Sequence, residues 1–364
     1  MKKDNDALES AREIINQVDK EMASLFEKRM QAVKEIAEYK KQRGLKILDS
    51  SREQEIVEKN SKLISDQNIR SYYVNFLKDN MQVSRSYQEQ LIEGLKVGYC
   101  GTIGAFAYIA TSKLFPNSNK IAFGDFESAY KSVENGECDI AVLPIENSSN
   151  GEVGQVTDLL FNGSLYVNDV TELEVTHNLL GTKDANIDDV KQVVSHSQAL
   201  GQCYGYIKER GFRAVEYANT ALAAKFVAEQ NDKSIAAIAS IEAGEIFGLK
   251  VLEKNVNASR TNTTKFAIVS RVQNQNSLTE KDVQTMLMFT VRHQAGALAK
   301  AIEIIGKYGF NMQAIRSRPM KQLLWQYYFY VEAEGNINTE QGQLMIKELS
   351  KYCDKLKVLG TYKK

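Results

Sequence analysis

The first 93 residues hold no proline and one glycine, Gly44, in a 364-residue chain with only three prolines. Proline costs about 3 and glycine about 1 kcal/mol inside a helix, so this stretch lacks the strongest helix breakers. Ile14, Ile15, Val18, Met22, Leu25, Phe26, Val33 and Ile36 recur at three- and four-residue steps. That spacing predicts one long helix over 5–42, ended at Gly44. Ser50 with Glu53 three residues on predicts a capping box opening a second helix to about residue 64, and a third helix follows over 67–93. So thin an apolar stripe is a poor core for one chain, which predicts helices exchanged in a homodimer or higher homo-oligomer.

At Leu95 the texture changes. LKVGYCGTIGAF, CDIAVLPIENSSNGEV, VKQVVSHSQALGQCYGYIKERG, SIAAIASIEAGEIFG and TKFAIVSRV each carry a strand, several running through a polar loop into a helix. This alternation predicts a mainly parallel, helix-covered sheet, with ligands beyond the strands' carboxyl ends. NQNSLTEKD (274–282) is a polar linker, and strand, helix, strand, strand (LLWQYYFYVEA), helix, strand follow as βαββαβ. The segments are 1–93, 95–272 and 283–364.

Lysine plus arginine and aspartate plus glutamate both number 46, so no basic field exists to hold nucleic acid. No apolar run approaches the ~18 residues of a membrane span. MKKDNDALES has no apolar secretory core, and Cys100, Cys138, Cys203 and Cys353 form no CxxC pair or metal spacing with the three histidines. These features predict a reduced, cytoplasmic protein without a metal site.

On the first helix Arg29 and Lys40 project about 20° apart, while Arg12 lies about 100° from Arg29, better placed for a partner's pocket. Asp49, Arg52 and Glu53 cluster at the second helix start, and Ser84 and Gln88 share a face of the third. Taken singly, each is better explained as a solvated charge or a cap. As an ordered series they resemble the all-helical chorismate mutase family across nearly all of 1–93. The resemblance implies that Arg29 and a partner's Arg12 grip substrate carboxylates, with Ser84 and Arg52 completing those contacts. Lys40 and Gln88 would face the ether oxygen, and Asp49 and Glu53 the ring hydroxyl. A pericyclic rearrangement needs no nucleophile, only a compact conformer and positive charge where electrons gather.

GTIGAFAYIAT, LPIENSSNG, VSHSQALGQC, EYANTALAAKF, AAIASIEAGEIFGLKVL and NTTKF resemble, in order, the blocks of prephenate dehydratase over 96–270. The resemblance implies a two-lobed fold like that of solute-binding proteins, with the site in the cleft. Thr264 would be the acid assisting loss of the ring hydroxyl, with Glu146, Asn147, Ser195, Gln202 and Phe266 lining the site. Lys265 replaces the family's arginine, Ser197 a proline, and Gly101-Thr102-Ile103-Gly104 the usual Gly-Pro-x-Gly-Ser. Alone, Thr264 reads equally as a strand residue, Glu146 as a loop cap, and His196 as a loop hydrogen-bonder.

In the last segment GALA (296–299) and SRP (317–319) resemble the blocks of phenylalanine-binding ACT domains. Gly296, Ala297, Leu298 and Ser317 would then meet a phenylalanine effector, although Gly296 also suits a tight turn. Arg316 stands where the family has glutamate. The three segments in this order resemble the bifunctional chorismate mutase–prephenate dehydratase family. That resemblance implies conversion of chorismate to prephenate, then to phenylpyruvate, water and CO₂, with no metal or organic cofactor. A prephenate dehydrogenase fusion would need a G-x-G-x-x-G, which the chain lacks. A non-catalytic amino-acid-sensing module is the other reading the two-lobed fold permits.

Overall fold

The computed structural model describes residues 2–258, 262–273, 282–320 and 326–364, with side chains from residue 7 onward. The chain forms two compact units, Met1–Leu95 and Lys96–Lys364.

The first unit is α1 (Lys2–Arg43), α2 (Ser50–Ser61) and α3 (Gln67–Glu93). Gly44 and Gly94, both at positive φ, end α1 and α3. The cap of α2 is Asp49, not the expected Ser50: its carboxylate accepts from the Arg52 amide at 3.0 Å. That bond holds the Asp49 carboxyl below its ordinary range, helped by the Ser51 hydroxyl. Glu53 closes no capping box and instead pairs with Arg85 of α3. Val33, Ala37 and Met81 are the buried apolar side chains here, while Ile14, Val18, Met22, Leu25 and Phe26 stand exposed along α1.

The second unit opens with β1 (Lys96–Cys100), α4 (Phe106–Leu114), β2 (Asn119–Phe123), α5 (Phe126–Glu134), β3 (Ile140–Asn147), β4 (Gly151–Glu152), α6 (Gly154–Asn162) and β5 (Tyr166–Glu174). A second lobe follows: β6 (Asn178–Gly181), β7 (Gln192–Ser195), α7 (Ser197–Gln202), α8 (Tyr204–Arg210), β8 (Arg213–Glu216), α9 (Thr220–Gln230), β9 (Ile235–Ala239), α10 (Ile241–Phe247) and β10 (Lys250–Glu253). The chain then returns as β11 (Thr263–Ser270). The first lobe's sheet runs β2-β1-β3-β11-β5 with β4 beside β3, and the second's runs β10-β6-β9-β7-β8.

Neither sheet is mainly parallel, which corrects the expectation from element order. β11 lies antiparallel between β3 and β5, and β6 is antiparallel to β9 and β10. The two crossings between lobes explain the first lobe. β5 leaves it and β11 re-enters it at the same end, so as neighbours they run in opposite directions.

The chain ends in β12 (Val283–Val291), α11 (Ala297–Lys307), β13 (Asn311–Pro319), β14 (Tyr327–Glu334), α12 (Glu340–Leu349) and β15 (Cys353–Lys363), an antiparallel sheet ordered β13-β14-β12-β15. Successive strand residues face opposite ways. Leu287, Phe289 and Val331 pack under α11 and α12, while Met286, Met288, Tyr328 and Tyr330 share one apolar cluster with Leu143, Val156 and Phe161 of the first lobe. Gly360 lets β15 pass β5 backbone to backbone, because a Cβ there would collide with the Val167 carbonyl. The linker reading falls, Asp282 excepted, outside the described residues, as do Leu323–Trp325 of the LLWQYYFYVEA strand.

Candidate active sites

A cleft of about 420 Å³ opens between the two lobes. From the first lobe come Gly101, Phe106, Asn147, Thr264 and Phe266; from the second, His196, Gln198, Gln202, Asn219 and Thr220. Three helices, α4, α7 and α9, start at its wall. Their dipoles favour anions, although His196 and Asn219 already cap one amide each of α7 and α9, while the described lining residues include no lysine or arginine. Cys100 also lines the cleft, but burial, reinforced by Asp125, pushes its thiol up to about 11. It is protonated at neutral pH and a poor nucleophile.

At the cleft floor the hydrogen bonds have a fixed direction. Asn147 Oδ1 accepts from the Ser149 and Asn150 amides at 3.0 and 3.1 Å, so Nδ2 must be the donor side. Nδ2 donates to Asn262 Oδ1 and to Thr264 Oγ1, each at 2.9 Å. Thr264, only 9% exposed, therefore accepts from Asn147 and keeps its own proton free, with no acceptor for it among the described residues.

Gln202 and Phe266 line the same cleft. Glu146 does not. Asn147 and Thr264 are paired across β3 and β11, and so are Glu146 and Lys265, one residue along and hence on the opposite face. There Glu146 pairs with Arg316 of β13 and lies 3.9 Å from Lys265, with Glu332 3.7 Å from Lys265. Ser195 is also away from the cleft lining: fully buried, it donates to the Ile238 carbonyl at 2.5 Å and ties β7 to β9. His196 lines the cleft and caps α7, its Nδ1 accepting from the Gln198 amide at 3.3 Å. Sequence reasoning passed over Asn262 and His177. Asn262 lies within the NTTKF block, whereas His177, flanked by Thr176 and Asn178 between β5 and β6, carries no sequence signal.

In the helical unit, α1 and α3 bring Arg29, Ser84 and Gln88 together. Arg29 Nε donates to Ser84 Oγ at 3.2 Å, and Gln88 Nε2 to the Ser84 carbonyl at 3.4 Å. Gln88 Oε1 is buried with no partner among the described residues. Lys40 Nζ donates to the Ile47 carbonyl at 2.5 Å. Arg12 is exposed and pairs with Glu9; Arg52, also exposed, pairs with Glu55. Arg12 is 17 residues before Arg29, about 25 Å along a helix, and does not join that cluster.

In the C-terminal sheet Gly296, at φ +81°, caps α11 with open space where a Cβ would stand. Leu298 lines a small pocket of about 130 Å³ with Gln294, Tyr327 and Phe329. Ser317 lies on β13, paired with Phe329 of β14. Among the described residues no three His, Cys, Asp or Glu side chains group to hold a metal, and no helix is long and apolar enough to cross a membrane.

Comparison with known proteins bears on both units. Residues 97–274 match the prephenate dehydratase family and residues 11–89 match type II chorismate mutase. The bifunctional chorismate mutase/prephenate dehydratase of Enterobacter agglomerans is 29% identical over 377 residues, covering 100% of this chain and 97% of that protein. Arogenate dehydratase 2 of Petunia hybrida is 33% identical over 282 residues, covering 74% and 71%. A solved structure described as GqqA, a novel type of quorum quenching acylase, is 29% identical with a TM-score of 0.68 and covers 74% of this chain and 97% of its own.

Proposed function

The chain belongs to the bifunctional chorismate mutase/prephenate dehydratase family, and from that premise we propose how its residues divide the work. It rearranges chorismate to prephenate and converts prephenate to phenylpyruvate in phenylalanine biosynthesis. In the dehydratase, Thr264 is the acid. Its proton joins the departing ring hydroxyl to make water, while the electrons of the breaking ring–carboxylate bond complete the aromatic ring and CO₂ leaves. The observation that carries this assignment is the Asn147-to-Thr264 donor direction, which leaves the threonine proton for the substrate. The helix starts around the cleft suit a dicarboxylate. An acyl-enzyme reading is disfavoured by the protonated Cys100 and by the lack of a serine among the described lining residues.

In the mutase, Arg29 and Ser84 hold a substrate carboxylate, and Lys40 and Gln88 face the ether oxygen, where negative charge develops. Gln88 would donate to that oxygen through Nε2, which now gives one N–H to the Ser84 carbonyl at 3.4 Å. Lys40 and Glu53 must exchange their contacts to the Ile47 carbonyl and Arg85 for substrate. Asp49 stays a cap that also reaches the ring hydroxyl, and Arg52 supports the carboxylates. Arg12 serves a partner chain.

The C-terminal βαββαβ unit is an ACT-type regulatory domain binding phenylalanine near Gly296, Ala297, Leu298 and Ser317, and the enzyme is cytoplasmic. The domains are 1–93, 95–272 and 283–364. Chorismate should yield phenylpyruvate, read by its absorbance in alkali, without NAD. No phenylpyruvate from chorismate or prephenate would refute the dehydratase assignments. Calorimetry should show phenylalanine binding below millimolar concentration, and no heat there would leave 283–364 without an effector role.

A further inference from the structure

His177 lies where the chain crosses from the first lobe to the second, just beyond β5. It is 3% exposed. Its backbone is fixed to the returning crossing: its amide donates to Asn257 Oδ1 at 3.0 Å, and its carbonyl accepts from the Val256 amide at 2.8 Å. Its ring meets the Phe106 ring edge-on, 5.9 Å between centroids, and Nε2 lies 2.9 Å from Gln202 Oε1.

The donor directions already established decide which proton sits where. Asn262 Oδ1 is taken by Asn147, so Asn262 Nδ2 is the donor to Gln202 Oε1, at 3.1 Å. Gln202 Oε1 is thereby an acceptor, and His177 Nε2 must carry the hydrogen that meets it. Burial pushes the imidazole's pKa down, although the Gln202 bond opposes this, which matches a neutral ring with its proton on Nε2. Two polar atoms are left over at the cleft. Gln202 Nε2 and His177 Nδ1 are buried with no partner among the described residues.

A buried, unsatisfied amide NH₂ is costly. The Gln202 amide nevertheless cannot turn over to relieve it. The turned amide would set its NH₂ against two donors, Asn262 Nδ2 and His177 Nε2–H. The orientation is held, and the unpartnered donor belongs to a residue that lines the cavity containing Thr264.

We propose that His177 is a positioning residue of the dehydratase: by donating to Gln202 Oε1, it holds the Gln202 amide with its NH₂ presented to a carboxylate or keto oxygen of the substrate. The inference rests on the dehydratase reading of this cleft. Gln202 touches substrate and His177 acts through it. Without the imidazole only Asn262 opposes rotation, and the donor is no longer preorganised.

The test uses the full chain, with mutase turnover as an internal measure of folding and phenylpyruvate release as the readout. His177→Phe keeps a ring against Phe106 and removes the donor. It should raise the dehydratase KM for prephenate about tenfold with kcat changed less. His177→Gln returns an N–H donor without a titrating ring and should restore KM to within about threefold. In a Gln202→Ala background, which raises KM by itself, His177→Phe should cost nothing further, since the residue through which it acts is gone. Unchanged kinetics in a folded His177→Phe enzyme would overturn the proposal. Equal damage from His177→Gln, or full additivity with Gln202→Ala, would do the same. Failure of the dehydratase reading itself would be distinct, because the unmodified enzyme would then release no phenylpyruvate.

Discussion

At the scale of single residues the proposed dehydratase mechanism turns on where one hydroxyl proton points. Asn147 donates to Thr264, and Asn147→Asp would replace that donor with an acceptor of the same shape. The Thr264 proton would then turn toward the new carboxylate and away from substrate. We expect Asn147→Asp and Thr264→Ala each to lower dehydratase kcat about 10²-fold or more, the scale of one removed acid, with mutase turnover unchanged. A steady-state assay of both activities on one preparation checks this, and parallel loss of the two would refute separate sites. Thr264, Gln202 and Phe266, singled out by local motifs, line the cleft. The face of Glu146 was legible, since it precedes Asn147 by one strand residue, but block resemblance says nothing of faces. Asn262 and His177 were not legible. Their roles depend on two crossings 85 residues apart in sequence (177 to 262) meeting at one hinge.

At the scale of elements, the back of β3 and β11 is where the C-terminal sheet reaches the dehydratase. Arg316 and Lys265 face Glu146 and Glu332 there, two cations against two carboxylates. Arg316→Glu would gather three carboxylates around one lysine. It should lower stability by about 1–3 kcal/mol, between the surface and buried limits for an ion pair. The exchange Glu146→Arg with Arg316→Glu should recover at least half of the loss in urea unfolding, and no recovery would show that the pair does not act together. A second contact is titratable. Lys357 of β15 donates to the Leu160 and Gly163 carbonyls at the end of α6, and burial, with Lys355 nearby, pushes its ammonium from 10.5 down to about 8. Below about pH 8 both folded and unfolded chains are protonated there, and the folded one bears the cost of burying the charge. Between about 8 and 10.5 only the unfolded chain holds the proton, so this group's contribution to stability rises with pH. From pH 7.5 to 9.5 the wild type should gain about 1–2 kcal/mol relative to Lys357→Gln, and a difference that is flat with pH would refute it. Helix extents were legible from periodicity, because helices are made of local contacts. The mixed sheets were not, because strand pairing joins distant segments, and element order alone does not say that β11 returns between β3 and β5.

At the scale of the whole molecule, the first unit leaves much apolar surface uncovered. Its buried apolar side chains are few, and α1 exposes Ile14, Ile15, Val18, Met22, Leu25 and Phe26 to water. A 42-residue helix with that surface is what a partner's helices would cover, and fully burying each such side chain is worth about 1.5–3 kcal/mol. The proposed mutase pocket bears on the same question. Arg29 sits with Ser84 and Gln88 between α1 and α3, whereas Arg12 stands about 25 Å up the same helix with Glu9 beside it. One small dicarboxylate cannot span that distance, so a pocket with both arginines, as the chorismate mutase resemblance implies, would draw them from two chains. Arg12→Ala and Arg29→Ala chains should each be inactive as mutases. Unfolded together and refolded, they should form mixed dimers with one pocket that keeps both arginines and one that has neither. Random pairing makes half of the dimers mixed, each with one intact site of two, so about one quarter of wild-type mutase activity should return. Dehydratase activity, which depends on Lys96–Lys364, should be full in both variants throughout and confirms recovery of folded protein. Mixed dimers verified by two distinguishable tags that return no mutase activity would show that Arg12 serves its own chain.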